Sequence, residues 1–308
     1  MGDNNMYLSK ELNKIGISCD CYNEKEFTSL GLAGYNAGKG VATFLAASKY
    51  ASGISEGITM IITSQDVYDE LLDKEDISDK YGICIVQNPR IAYFKLHNAL
   101  CLNDDYTREK YKSKISESAR VSKLAYIAEN NVTIGNNVVI EEFVSIKENT
   151  VIGDNSVIRA GSVIGGTGFE IKNSDGGLWT VTHIGGVVIG KNVEIQQCTT
   201  IDKAIYPWDD TILDDHVKIN SQVQIAHGVK IGKDTEVVAN AGIQGRVKVG
   251  ENVWIGPNTA IRNGITIGDN SRVNIGAVVT LDVPEGAEVS GNFAREHSVM
   301  IDEMRKYK

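Results

Sequence analysis

From Leu213 to Val279 every sixth residue is aliphatic: Leu213, Ile219, Ile225, Ile231, Val237, Ile243, Val249, Ile255, Ile261, Ile267, Val273 and Val279. Small and polar residues fill much of the space between, as in IGKD, VGEN, IGPN and IGDN. An amphipathic helix places apolar side chains about every 3.6 residues and a half-buried strand every second one, so neither period accounts for this run. A six-residue repeat is instead one short strand and one turn, each aliphatic pointing into a shared interior. Three rows close one coil of about 18 residues with three flat faces. Coils of this kind, when left-handed, are an exception to the right-handed crossover rule. The same phase runs through Ile134, Ile140, Ile146, Ile152, Ile158 and Ile164, and again through Ile189, Ile195 and Ile201. The pattern predicts a mainly β protein built on a left-handed parallel β-helix of about seven coils.

Residues 1–115 lack this period. Ser9, Glu11 and Leu12 open one short helix, and Phe44 to Ala51 reads as another. ITMIIT (58–63) and ICIV (83–86) are short, apolar and β-branched, as buried strands are. VYDELL between them reads as a helix, and RIAYFKLHNAL after Asn88-Pro89 as a second, with Pro89 in the first turn where its missing N–H is not needed. Strands alternating with helices predict a small α/β domain over 1–115, joined by a polar link to a β-helix domain over 116–283. Residues 284–308 read as a cap and short helix over the open coil. Two excursions interrupt the repeat, Gly165 to Gly186 and Lys203 to Asp210. They read either as tolerated surface insertions or as the functional loops that solenoids collect on one side.

Composition narrows the function classes. A net charge of −9 with no basic cluster argues against a nucleic-acid partner. No apolar run approaches the ~20 residues of a membrane span, and MGDNNMYLSKEL lacks the regions of a signal peptide. The five cysteines, Cys19, Cys21, Cys84, Cys101 and Cys198, are an odd count with no CxxC pair and read as reduced thiols of a cytoplasmic protein.

Of His97, His183, His216, His227 and His297, one stands out. His227 lies two residues after the row residue Ile225, at a strand-to-turn edge, and one coil further on is Gly245. The two share a corner on successive coils, about one strand spacing of ~4.8 Å apart. An imidazole base beside an unobstructed backbone N–H suits acyl transfer: the ring takes a proton from the attacking amine or hydroxyl, and the N–H holds the oxyanion. A solvent-exposed turn histidine fits the same spacing equally well. The histidine intervals, 183 to 216 and 216 to 227, bring no two ligands together, so no metal site is expected.

VQIAHGVKIGKD, preceded by IQQCTTIDKA and GGTGFEIKNSDGGLW, resembles the UDP-3-O-acylglucosamine N-acyltransferases of lipid A synthesis. VATFLAASKY, ITMIITSQD and CIVQNPRIAYFKL look like that family's nucleotide-recognition domain, and MIDEMRK like the start of its C-terminal helices. The resemblance implies a homotrimer with its active site between neighbouring β-helices, a catalytic base at His227 and an oxyanion glycine at Gly245. It places base-stacking aromatics at Phe44 and Tyr50, with Lys49 beside them; core packing is the other reading of both rings. The chain departs from the family pattern in four places. Ala47 and Ser48 replace Asn-Pro, Asn220 stands where a carboxylate would orient the imidazole, Gly264 replaces a second histidine, and the helical extension is short. These departures alter the substrate side and leave the acyl-transfer corner intact. The expected function is therefore N-acyl transfer from acyl-CoA or acyl carrier protein to a nucleotide-linked amino sugar for surface polysaccharide or lipopolysaccharide synthesis. No permanently bound cofactor is expected, and Arg246, Lys248 and Arg262 are candidates for the phosphates of CoA. The lipid A enzyme itself is the alternative, and a non-catalytic sugar-nucleotide-binding β-helix is the alternative of another class.

Overall fold

The computed structural model describes residues 6–34, 38–72, 80–291, 294 and 296–306. The chain folds into two compact units, Met1–Tyr111 with Thr167–Gly186 and Lys203–Asp210, and Lys112–Gly166 with Val187–Asp202 and Thr211–Lys308. Apart from Gly165 and Gly166, both excursions thus belong to the first unit rather than to the β-helix.

In the first unit a five-stranded sheet runs in the order β1 (Asp20–Tyr22), β5 (Gly82–Ile85), β4 (Ile58–Thr63), β3 (Val41–Phe44), β2 (Ser29–Leu30). Only the β1–β5 pair is antiparallel. Helices α1 (Leu8–Lys14), α2 (Gln65–Leu72) and α3 (Pro89–Leu100) accompany the sheet. At the start of α3 the Asn88 side chain accepts the Ile91 N–H at 3.1 Å, and Pro89 occupies the first turn. Phe44 to Ala51 is not a helix: Phe44 closes β3, and a 3₁₀ turn spans Ser48–Gly53. The β-branched run into Phe44 pairs with β4, and a ladder partner outweighs weak helix propensity.

Parts of both excursions pack into the core of the first unit. Residues 171–180 form an antiparallel hairpin. Val181, Ile205 and Tyr206 are buried with Leu8, Met60 and Tyr93 in one cluster. Trp208 stacks on Tyr206 and donates its Nε1–H to the Leu30 carbonyl at 2.7 Å. Arg108 holds the second excursion by donating to the Pro207 carbonyl at 2.7 Å and to Asp210 at 2.7 Å. The cysteine expectation also changes here, because Cys21 sits opposite Cys84 across β1–β5 and the two are joined as a disulfide.

The second unit is the left-handed β-helix. Three parallel sheets of nine, eight and eight strands form its faces. On face one Ile219 pairs with Val237, Val237 with Ile255 and Ile255 with Val273. Face two carries Ile225, Ile243, Ile261 and Val279, and face three Ile231, Val249 and Ile267. These residues fill one continuous interior. The coils run further than the hexad count predicted. Strands at Ile115, Val121 and Ile127 precede Ile134, and Val283 and Val289 pair beyond Val279. A seven-residue step from Ile127 to Ile134 breaks the phase and hides the first coil.

The corners explain the recurring asparagines. Asn131, Asn137, Asn149, Asn155, Asn252 and Asn270 all have φ between 53 and 65°, in the left-handed region that Asn tolerates better than other side chains. Successive corners are stitched by side-chain amides, Asn137 to Asn155 at 3.1 Å and Asn252 to Asn270 at 2.9 Å. Helix α4 (His297–Arg305) ends the described chain, and among the described residues no helix is long and apolar enough to cross a membrane.

Candidate active site

His227 stands at the corner between faces two and three, just after strand Gln224–Ile225. It is 7% exposed, which removes the reading as a solvent-exposed turn residue. Gly245 occupies the same corner one coil on, and a Cβ built there would lie 2.7 Å from His227 Nε2 and 2.9 Å from Cε1. The Nε2 edge of the ring therefore faces the glycine, and only a residue without a side chain leaves it room. The Gly245 N–H takes no acceptor among the described residues. The backbone locks the two corners together, with the Arg246 N–H on the His227 carbonyl at 3.0 Å and the Gly264 N–H on the Gly245 carbonyl at 3.0 Å.

Residues below the corner support it. Thr211 is fully buried; its Oγ1 accepts the Gly228 N–H at 2.9 Å and donates to the Asp202 carbonyl at 2.6 Å. The Asp202 strand pairs with Gln224–Ile225, so the carboxyl sits one coil below Ala226, the residue before His227. Burial pushes the Asp202 carboxyl up to about 6, partly offset by a hydrogen bond from the Gln224 side chain. Gln244 in turn reaches Gln224 at 3.4 Å, so a polar string climbs beside the histidine. The sequence reading missed Thr211, Asp202 and Gln224. Stepping by one coil length fails across the Lys203–Asp210 excursion, which hides that Asp202 belongs under Ala226.

Asn220 does not join this corner. It follows strand Lys218–Ile219 at the corner between faces one and two, and its Oδ1 accepts the Ser221 N–H at 2.6 Å. Of the cationic candidates, Arg246 follows Gly245 directly, Lys248 begins the next strand on face three, and Arg262 follows the face-two strand Ala260–Ile261. Arg246 adopts a φ of 62°, and its Nη2 is buried with no partner among the described residues. Arg262 donates to the Thr280 carbonyl at 3.0 Å.

In the first unit, Tyr50 is 54% exposed, with Lys49 Nζ 5.1 Å from its ring centroid. Phe44 is half-buried and packs on Tyr93 at 4.8 Å and Phe94 at 5.9 Å, so much of its ring serves the core. A cleft of about 660 Å³ is lined by residues that include Ser18, Asn88, Ile91, Lys95 and Asn173, and by none of Phe44, Lys49 and Tyr50.

Residues 131–166 and 246–280 match the bacterial transferase hexapeptide (six repeats) family. A segment of 82 residues is 49% identical to the UDP-3-O-acylglucosamine N-acyltransferase of Rickettsia akari (strain Hartford), covering 27% of this chain and 23% of that protein. A segment of 83 residues is 42% identical to the enzyme of the same name from Hahella chejuensis (strain KCTC 2396), again 27% of this chain and 23% of the relative. The chain therefore matches about a quarter of the length of these curated relatives. Among solved structures, the UDP-N-acetylglucosamine acyltransferase from Campylobacter jejuni aligns with a TM-score of 0.50 and 25% identity, over 63% of this chain and 81% of that one.

Proposed function

We propose that this hexapeptide-repeat β-helix, similar in part to UDP-3-O-acylglucosamine N-acyltransferases, transfers an acyl group from a thioester to the amine of a UDP-linked glucosamine derivative. One observation carries the reading: the Nε2 edge of a buried His227 faces Gly245, whose N–H takes no acceptor among the described residues. The sugar amine attacks the thioester carbonyl and His227 accepts its proton. The Gly245 N–H holds the oxyanion of the tetrahedral intermediate. Collapse expels the thiolate, which takes the proton back from the imidazolium. Arg246, Lys248 and Arg262 meet the phosphates carried by the donor, whether CoA or the phosphopantetheine of a carrier protein. The names of the curated relatives favour the lipid A alternative over a short-chain surface-polysaccharide sugar. The working unit is a homotrimer, as in the resembled family.

The test offers the purified chain UDP-3-O-acylglucosamine with 3-hydroxymyristoyl carrier protein and, in separate arms, UDP- and dTDP-linked amino sugars with acetyl-CoA or 3-hydroxybutyryl-CoA. Products are read by mass. An N-acylated UDP-3-O-acylglucosamine is expected, with the rate falling by roughly 10²–10⁴-fold in His227→Ala. Turnover of short-chain donors alone would move the protein to other amino sugars. Equal binding of the nucleotide sugar with no transfer under any arm would make it the non-catalytic β-helix.

A further inference from the structure

Three sulfur atoms converge at one edge of the first unit's sheet. Cys21 and Cys84 face each other across the antiparallel β1–β5 pair, their Cα atoms 4.2 Å apart. Cys19 lies one residue before β1, on the same side of the strand as Cys21, because alternate residues share a face. Its Sγ is 4.0 Å from that of Cys21, and all three sulfurs lie within 4.8 Å of one another. Cys84 is buried and the other two are half-buried. The acyl-transfer reading uses none of them.

A tetrahedral zinc ion with Zn–S bonds of about 2.3 Å sets its thiolates roughly 3.8 Å apart. The Cys19–Cys21 separation of 4.0 Å has the size of one edge of that tetrahedron, and reduction of the Cys21–Cys84 bond lets those two sulfurs part to the other corners. Asp20 and Glu24 add negative charge beside Cys19. That negative field favours a bound cation. We propose that Cys19, Cys21 and Cys84, when reduced, bind one thiophilic divalent cation of the zinc class, with a water or exogenous ligand in the fourth position. Binding displaces the three thiol protons to solvent and joins the residues between α1 and β1 to strand β5. The Cys21–Cys84 bond and the metal exclude each other, since bonded sulfurs carry no thiolate, so only the reduced chain is a ligand.

The experiment uses the full chain, reduced with a phosphine and titrated without oxygen with Co²⁺ as the optical probe. A thiolate-to-cobalt charge-transfer band saturating at one equivalent, bleached by Zn²⁺, is expected. Cys19→Ser removes a half-buried thiol from the rim and weakens Co²⁺ binding at least tenfold, while Cys101→Ser and Cys198→Ser leave it unchanged. Cys84 is fully buried, so Cys21→Ser serves as the second variant in place of a change there. The proposal is overturned by the absence of the band in the reduced chain, or by an undiminished band in both Cys19→Ser and Cys21→Ser. Alkylation followed by mass measurement that finds Cys21 and Cys84 still bonded after the phosphine overturns it equally. None of these readouts depends on acyl transfer, so they separate this proposal from the proposed activity.

Discussion

At the residue scale the site comes down to the space one hydrogen atom leaves. Gly245 faces the Nε2 edge of His227 so closely that any Cβ would collide with it. Gly245→Ala should therefore push the imidazole out of position and cut acyl transfer by at least tenfold. The neighbouring β-helix interior, filled by Ile225 and Ile243, should lose little stability. Steady-state rates beside thermal melts check this; a variant that keeps its rate would separate the glycine from the chemistry. Support for the histidine comes from behind, where Thr211 fixes Gly228 and Asp202 with one hydroxyl. That His227 and Gly245 share a corner was legible from coil spacing. The carboxyl was not, because a chain excursion separates Asp202 from Ala226, its neighbour one coil on.

At the scale of the element, the corners divide into two kinds. Most left-handed corners hold asparagine or glycine, which accept positive φ at little cost. Arg246 holds the corner next to Gly245 at a φ of 62°, where a long side chain costs about 1 kcal/mol or more. The strain fits a side chain kept for ligand contact, and its buried Nη2, which has no partner among the described residues, agrees. Arg246→Asn should raise the melting temperature of the β-helix by a few degrees and raise KM for the acyl donor more than it lowers kcat. A lower melting temperature would mean that the guanidinium stabilises the corner instead. Hexad spacing made the faces legible, because every row residue must reach one interior. The first coil escaped because a single extra residue shifts the phase.

At the scale of the whole molecule, pH acts on the two units in opposite senses. In the first unit His97 is fully buried; its Nε2–H donates to the Thr182 carbonyl at 2.9 Å and its Nδ1 accepts from the Tyr106 hydroxyl at 3.0 Å. Burial lowers its pKa to about 4, with His183 adding like charge and the Thr182 carbonyl opposing. Between pH 6.5 and 4 the unfolded chain binds the proton and the folded one does not, so stability falls as pH drops, by on the order of 3 kcal/mol in all. Asp202 has the reverse sign: its raised pKa means that stability is lost as pH rises from the unfolded carboxylate value through about 6. Melts followed by tryptophan fluorescence, which samples Trp179 and Trp208 in the first unit and Trp254 in the second, should resolve the two trends. His97→Gln should flatten the acid slope of the first unit, and Asp202→Asn should stabilise the second most at pH 7 and above. A first unit with no acid slope would mean that His97 is protonated in place.

The amino-acid sequence by itself determined the β-helix, its interior residues and the pairing of His227 with Gly245. All three follow from a period, and a period is a local property that survives without knowing what packs against what. Only the tertiary structure decided that both excursions contribute to the core of the first unit, that Asn220 sits at another corner, that Asp202 lies beneath Ala226, and that Cys19, Cys21 and Cys84 meet. Those facts depend on which distant segments bury each other's surface and on how antiparallel register aligns two strands. Contacts of that kind leave no fixed spacing along the chain.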